Sequence, residues 1–331
     1  MSSELVTRAE RIADEVLFPA ALATDRADVV PVELLDALAE CGLYGLTGPS
    51  SDGGLEADFA DVCGVIDRLA SGCLTTTFVW VQHLGAVFAV AGTPNEEIRA
   101  WLPSICSGER RAGLALGGAI PGEPLLVAHE AGEGWRFSGI SPFVSGWGRV
   151  DVIHTAARTD DGRLVWALVD AQASDTLAVE RLELVALNAT ATVRASFRDH
   201  VVPAARVTSV GGYEEAPPPP ALVRIHAALP LGVLRRCCAL LGESKLDGEL
   251  ETLRAELDSL DPDTIGASRA AAGELALRAA AAVAVETGSR SLVLSEHAQR
   301  LVREALFCLV YALRPDARAS LLGRLTGKGG R

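Results

Sequence analysis

The chain has 331 residues, 49% of them apolar and 22% charged, which is enough to bury a large core in two or three folding units. Its formal net charge is −13, from 43 acidic and 30 basic residues. A surface with that excess of negative charge repels nucleic acid and anionic lipid. We therefore do not expect a function that depends on binding nucleic acid or a membrane surface.

Seven cysteines are spread along the chain without a C-x-x-C pair. An odd number without regular spacing indicates reduced thiols and predicts a cytoplasmic protein. Glu4 and Arg8 interrupt any apolar run at the N-terminus, so no signal peptide is predicted. The most apolar stretch, residues 78–92, is broken by Gln82 and His83, and we expect it to be a buried helix and not a membrane span.

Residues 1–108 have the apolar spacing of helices. Leu5, Ala9 and Ile12 repeat at helical intervals, and the run PVELLDALAECG begins with proline and ends with glycine, as helices often do. About five helices ended by Gly or Pro fit this region, which predicts an N-terminal helical domain.

The pattern changes at residues 109–212, where segments are short, β-branched and often alternating. The strings VDVIHTAAR and RLVWALVDA flank the residues 159–162 (Thr-Asp-Asp-Gly), a strong β-hairpin signal. The strings WRFSGI, TLAVERL and ATVRASF have the same character. We therefore predict a middle domain of seven or eight antiparallel strands, folded as a barrel or sandwich.

A stiff polyproline linker at residues 217–220 precedes a third region, 221–331, that is rich in Ala, Leu, Glu and Arg. About four helices fit this region and predict a C-terminal four-helix bundle. The fold class is therefore α+β, with the sheet domain packed between two helical domains.

Five strings in this order resemble the acyl-CoA dehydrogenase family over about residues 1–325. They are CGLYGLTGPSSDGGLEADFADVCGVIDRLA, EEIRAWLPSICSGERRAGLAL, GISPFVSGWGRVDVIHTAART, FRDHVVPAARV and AQRLVREALF. The resemblance implies an FAD cofactor, an acyl-CoA or acyl-carrier-protein thioester as substrate, and a homo- or hetero-oligomer.

The resemblance also assigns cofactor-binding residues. It implies that Leu114 and Leu116 lie on the first strand that contacts the flavin, and that Phe143 and Ser145 lie beside the flavin ring. Extended strands can supply the backbone N–H groups, hydroxyl and apolar cover that such a ring requires. The alternative is that Phe143 belongs to the core and Ser145 begins a turn.

Two departures from the family concern the catalytic base. Removal of the α-proton of an acyl thioester needs a base within hydrogen-bond reach. Alignment of REALFCLVYALR with the family's end helix gives Ala312 at the position of the usual glutamate, and the alternative base position falls near Leu222. Neither side chain can accept a proton.

Further departures concern the cofactor. The family's Gln-x-x-Gly-Gly-x-Gly run becomes VETGSRS, which keeps only Gly288, and the arginine expected to meet the pyrophosphate has no counterpart. Gly117 and Gly118 replace the usual Thr-Glu after the first strand. The sequence thus predicts weakened FAD binding.

Three further residues are candidates for the site. His226 lies near the alternative base position, and a reference pKa of about 6.5 suits proton transfer. We assign His83 and Arg224 to the substrate pocket, with a core histidine and a solvated helix arginine as the competing interpretations. No spacing typical of metal ligands occurs.

The leading hypothesis is a flavin-dependent oxidoreductase that acts on an acyl thioester and lacks the usual glutamate. The first alternative is a flavin-dependent monooxygenase of the same fold, which needs no α-proton base. The second is a catalytically degenerate subunit, or a flavin-free enzyme, within a hetero-oligomer.

Overall fold

In a computed structural model, residues 3–327 are described, so the ends of the first and third predicted domains (residues 1, 2 and 328–331) lie outside the described residues. The N-terminal helices begin at Ser3, whose Oγ accepts a hydrogen bond from the N–H of Val6. The helices are α1 (Glu4–Ile12), α2 (Phe18–Arg26), α3 (Val32–Glu40), α4 (Phe59–Gly72), α5 (Leu74–Gly92), α6 (Glu96–Arg99) and α7 (Leu102–Cys106).

Residues 3–108 thus contain seven α-helical segments where the sequence predicted about five. A π-helical turn, Ala13–Leu17, joins α1 to α2 without a break. The single helix predicted for NEEIRAWLPSIC is two short ones, because Pro103 has no N–H to continue a helix from α6 and fits instead at the first turn of α7.

The middle region forms one eight-stranded sheet in the order β6-β7-β3-β2-β4-β5-β8, with β1 also paired to β4. The strands are β1 (Ala112–Ala115), β2 (Leu126–Ala131), β3 (Gly134–Val144), β4 (Val152–Arg158), β5 (Arg163–Asp170), β6 (Leu177–Arg181), β7 (Val193–Pro203) and β8 (Val207–Gly212). The predicted hairpin is confirmed as β4–β5, where Arg158 pairs with Leu164.

The sheet is mixed and not wholly antiparallel as the sequence predicted. Strand β1 runs parallel to β4, and β2 makes a single parallel bridge to it. Alternation of side chains encodes which face of a strand is buried but not its direction, so this could not be read from the sequence. All seven residues of β4 are buried, as expected for a strand with neighbours on both edges.

The C-terminal region contains five α-helices within the described residues, one more than predicted. They are α8 (Pro220–Leu241), α9 (Lys245–Asp258), α10 (Ile265–Thr287), α11 (His297–Val310) and α12 (Pro315–Thr326). The predicted last helix corresponds to α11, which ends before Ala312, where φ is positive at 49°; the additional helix α12 begins at Pro315 and was not predicted.

The two helical regions share one hydrophobic core, which corrects the expectation that the sheet separates them. Helix α8 approaches α4 closely at Gly232, where an added Cβ would lie 2.5 Å from the Cβ of Ala70. Arg235 of α8 also pairs with the buried Asp67 of α4 at 3.1 Å. The sheet has its own core, and a third cluster joins α5–α7 to strands β1, β4 and β5.

Helix α5 is long and apolar enough to cross a membrane by length and composition alone. In the structure, 67% of its apolar window is buried inside the protein, and Trp80 is fully buried. This agrees with the sequence prediction of a core helix.

Candidate active-site cleft

A cleft of about 640 Å³ lies where the sheet, α5, the β6–β7 connection and the C-terminal helices meet. That volume is in the range of sites that bind a single small molecule or cofactor. Most of the lining is apolar. The lining residues are Phe78, Gln82, Leu114, Leu116, Phe143, Ser145, Leu184, Val185, Ala186, Leu187, Thr190, Thr192, His226, Leu306, Phe307, Val310, Tyr311 and Ala312.

The four residues assigned to the flavin from the sequence all line this cleft. Leu114 lies on β1 and Leu116 follows it, while Phe143 and Ser145 lie at the end of β3. The pairing of β3 with β7 shifts register between Ser141 and Val144, and such an irregularity re-aims side chains. Phe143 is consequently 67% exposed, so it is not a core residue.

A chain of buried hydroxyl groups runs from Ser145 into the β6–β7 connection. The Oγ of Ser145 lies 2.7 Å from Oγ1 of Thr192, which lies 2.8 Å from Oγ1 of Thr190. The hydroxyl of Thr190 donates to the carbonyl of Leu187 at 2.8 Å. The three hydroxyl residues are each less than a tenth exposed.

Aromatic side chains form the wall on the side of the C-terminal helices. Phe78 of α5 contacts Phe307 and Tyr311 edge to face, with ring centroids 4.8 and 5.0 Å apart. Phe307 and Tyr311 stack at 5.2 Å, and His226 of α8 meets Tyr311 edge to face at 5.4 Å. These contacts fix the side of the cleft on which His226 and Ala312 lie.

The lining carries no formal charge near neutral pH. Burial, with a smaller contribution from the positive charge of Arg269, lowers the pKa of His226 to about 4, so the imidazole is neutral. Burial raises the pKa of Tyr311 to about 12. Among residues 3–327, no Asp, Glu, Lys or Arg lines the cleft.

Arg269 fixes the turn that carries Ala312. Its Nη2 donates to the carbonyls of Cys308 and Tyr311, at 3.1 and 2.9 Å, and so caps the end of α11. The methyl group of Ala312 then lines the cleft. The identity of this position with the family's glutamate remains a prediction from the sequence.

The cleft residues suit one part of a flavin better than another. Exposed Phe143, apolar Leu114 and Leu116, and the oxygen of Ser145 supply the apolar cover and polar contact that a flat ring requires. The pyrophosphate of FAD would find no cationic side chain among the described lining residues. The cleft therefore fits the ring, and weakened FAD binding stays a prediction from the sequence.

His83 does not line the cleft, contrary to its assignment to the substrate pocket. Its Nε2 donates to the carbonyl of Ile105 and its Nδ1 accepts from the N–H of Ala112, both at 3.0 Å. It is the core histidine of the competing interpretation. Gln82, one residue earlier on α5, faces the cleft instead.

Arg224 is also placed away from the cleft, which corrects its assignment to the substrate pocket. It is buried on α8 and pairs with Asp258 of α9 at 2.6 Å. That ion pair occupies Nε, whereas the buried Nη1 has no hydrogen-bond partner among the described residues. Leu222, near the alternative base position, is 40% exposed and does not line the cleft.

Gln82, Thr190, Thr192 and Tyr311 were not predicted as site residues. The sequence carried one signal for them: Gln82 interrupts an apolar run, and such a polar residue must meet another polar group or a cavity. The threonines lie in NATATV, which has no distinguishing pattern. In the described part of the chain, no group of three His, Cys, Asp or Glu residues could hold a metal ion.

Comparison with known proteins finds a family model that matches the N-terminal third of the chain and solved structures that share its fold. Residues 2–109 match the family described as acyl-CoA dehydrogenase, N-terminal domain. A curated relative, 3-sulfinopropanoyl-CoA desulfinase of Paraburkholderia xenovorans (strain LB400), is 29% identical over 171 residues. The match covers 48% of this chain and 43% of the relative, so the chain spans less than half the length of that protein.

Two solved structures have the same fold over nearly the whole chain. The glutaryl-CoA dehydrogenase of Mycobacterium smegmatis in complex with FADH2 superimposes with a TM-score of 0.80 at 17% identity, covering 98% of this chain and 94% of that one. The nitrososynthase of Micromonospora carbonacea var. africana superimposes with a TM-score of 0.77 at 22% identity, covering 97% and 95%.

Proposed function

We propose that this chain, whose residues 2–109 match the acyl-CoA dehydrogenase N-terminal domain family, is a flavin-dependent oxidoreductase of that family that acts on an acyl thioester without a carboxylate base in its cleft. The observation that supports this most directly is the lining of the cleft. It combines an exposed aromatic ring, apolar strand residues and hydroxyl groups, with no acidic side chain among the described residues.

Each group has a defined part in this proposal. FAD, when bound, would supply a two-electron acceptor for hydride. Phe143, Leu114 and Leu116 would cover its ring and exclude water, and Ser145 would contact a nitrogen of its central ring. The aromatic wall, with Tyr311, would hold the acyl chain of a CoA or carrier-protein thioester.

His226 is our candidate for the proton acceptor. It lines the cleft and has no hydrogen-bond partner among residues 3–327. Its pKa of about 4 is close to the reference value of about 4.3 for a glutamate. Unprotonated His226 is therefore available over much the same pH range as the carboxylate that the sequence alignment expects at Ala312.

A second candidate function is a flavin-dependent monooxygenase. The likeness to a nitrososynthase supports it, and such a reaction needs no base for an α-proton.

A third candidate function is a subunit that completes a site in a hetero-oligomer. Apolar side chains at the end of α10 and in the α10–α11 connection support association with another subunit, because Val285, Leu292 and Leu294 are 61–83% exposed. We further propose a cytoplasmic location, with all seven cysteines free.

Purification and anaerobic titration separate these functions. A protein that binds FAD stoichiometrically and loses its absorbance with an acyl-CoA or acyl-carrier-protein thioester is a dehydrogenase. Bleaching only by a flavin reductase, followed by substrate oxygenation in air, identifies a monooxygenase. A colourless protein that gains no absorbance with added FAD contradicts both and favours the partner-subunit function.

Matched variants test whether the cleft is the site. Phe143→Ala removes an exposed ring inside the cleft, and we expect it to weaken FAD binding by tenfold or more. Phe88→Ala removes a ring that is 76% exposed on α5 outside the cleft and should leave the affinity unchanged. Equal affinities for the two variants would place the flavin elsewhere.

A further inference from the structure

The hydroxyl chain beside the cleft has only one possible direction. A hydroxyl group has one proton to donate and two lone pairs that accept. The carbonyl of Leu187 can only accept, so the proton of Thr190 is used in that 2.8 Å contact. Thr192 must then donate to Thr190 at 2.8 Å, and Ser145 must donate to Thr192 at 2.7 Å.

This direction restricts Ser145, the residue of the hydroxyl chain that lies at the end of β3. Its only proton is used in the hydrogen bond to Thr192. Its remaining lone pairs can accept a hydrogen bond from a ligand, but it has no proton to donate to one. A serine in water has no such restriction, so the restriction comes from the tertiary structure.

The backbone around the chain is held in place, which keeps the direction fixed. Leu187 and Ala191 both have positive φ values, 56° and 47°, conformations that only a constrained segment maintains in residues with a Cβ. The N–H of Gly146 donates to the carbonyl of Thr190 at 2.7 Å, and the N–H of Val30 donates to the carbonyl of Ala189 at 2.8 Å. The connection is thus tied to β3 and to the N-terminal helices.

We infer that Thr190 and Thr192 are positioning residues that make Ser145 an acceptor only, and that the cleft thereby favours a reduced flavin over an oxidised one. Two-electron reduction converts a bare nitrogen of the central flavin ring into an N–H group. An oxygen that can only accept stabilises the N–H form and repels the lone pair of the oxidised form. The inference rests on the proposed flavin function.

The test compares two variants of Thr192, in which valine or serine takes its place. Thr192→Val removes the hydroxyl but keeps the shape, so the proton of Ser145 becomes free to donate into the cleft. Thr192→Ser keeps the hydroxyl and the direction of the chain. For each holoprotein, the two-electron midpoint potential of the flavin is measured against a reference dye, and the affinities for oxidised and reduced FAD are measured separately.

We expect Thr192→Val to lower the ratio of reduced-form to oxidised-form affinity by about tenfold, which corresponds to a potential about 30 mV more negative. Thr192→Ser should keep the wild-type value. Thr190→Val should shift the potential in the same direction as Thr192→Val, because it frees the proton of Thr192 for Ser145.

Three outcomes overturn the inference. An unchanged or more positive potential in Thr192→Val means that Ser145 does not act as an acceptor only. Equal shifts in the valine and serine variants mean that only packing changed. A protein that binds no flavin overturns the proposed function and the inference together, whereas flavin binding without the predicted shift overturns the inference alone.

Discussion

The position of the first strand of the cleft depends on a neutral histidine, and this can be tested by pH. His83 is 1% exposed and connects three elements: α5, which carries it, α7 through Ile105, and β1 through Ala112. Because the N–H of Ala112 donates to Nδ1, that nitrogen carries no proton, and Nε2 is the protonated one. A second ring proton would oppose the N–H of Ala112.

Burial is the main cause that lowers the pKa of His83 to about 4. The hydrogen bond to Ile105 raises this pKa, and the charge of Arg111 lowers it. The folded-state pKa is below the unfolded value of about 6.5, so at pH values between the two the unfolded chain binds more protons than the folded protein. The stabilisation is complete above the unfolded pKa and is lost as the pH falls toward 4. Between about pH 7.5 and pH 5 the loss from this residue is about 2 kcal/mol.

His83→Gln keeps a donor and an acceptor but does not titrate. We expect it to lower the free energy of unfolding by about 1–3 kcal/mol near neutral pH through poorer hydrogen-bond geometry. The fall in stability between about pH 7.5 and pH 5 should be smaller than in the wild type by about 2 kcal/mol. Urea unfolding followed by circular dichroism at both pH values measures these quantities.

The surface variant His129→Gln controls for the replacement itself and should leave stability near neutral pH unchanged, since this side chain is half exposed. If His83→Gln retained the full pH dependence of the wild type, the neutral, doubly hydrogen-bonded histidine would be refuted as its source.

Three other variants test the base, the core and a turn. Ala312→Glu should create or raise acyl-CoA dehydrogenation, measured by anaerobic flavin bleaching, whereas Ala312→Gln should not. Equal bleaching rates in the two variants would mean that this turn does not contact the reacting carbon. Glu304→Leu should destabilise the protein by about 3–5 kcal/mol because it leaves buried Arg300 unpaired, and Arg300→Met with Glu304→Leu should restore most of that loss in thermal unfolding. Gly118→Ala should destabilise by about 1–3 kcal/mol, since its Cβ would lie 2.5 Å from the backbone of β4, while Gly211→Ala, with open space around it, should be neutral by the same assay.

Two features of the fold followed from local sequence. The β4–β5 hairpin follows from its turn residues, and the helix–sheet–helix order follows from the change of periodicity at both boundaries, because turn chemistry and side-chain alternation act within a few residues. Leu114, Leu116, Phe143 and Ser145 were assigned to the flavin by the resemblance to a family and not by local pattern. All four line one cleft, and their contact with a flavin stays a prediction.

Gln82 and His83 show where sequence reasoning stopped. Adjacent residues on a helix point about 100° apart, and both interrupt the same apolar run. Only the packing of α5 against α7 and β1 decides that His83 is enclosed and Gln82 faces the cleft. The assignment of Arg224 was wrong for a similar reason, since its partner Asp258 lies on another helix.

By itself, the sequence determined the helix–sheet–helix order of this protein and the β4–β5 hairpin. Tertiary structure decided the parallel pairing of β1 with β4, the shared core of the two helical regions and the direction of the hydroxyl chain at Ser145. Each of these depends on contacts between segments distant in sequence, and such contacts leave no periodic pattern in any one segment.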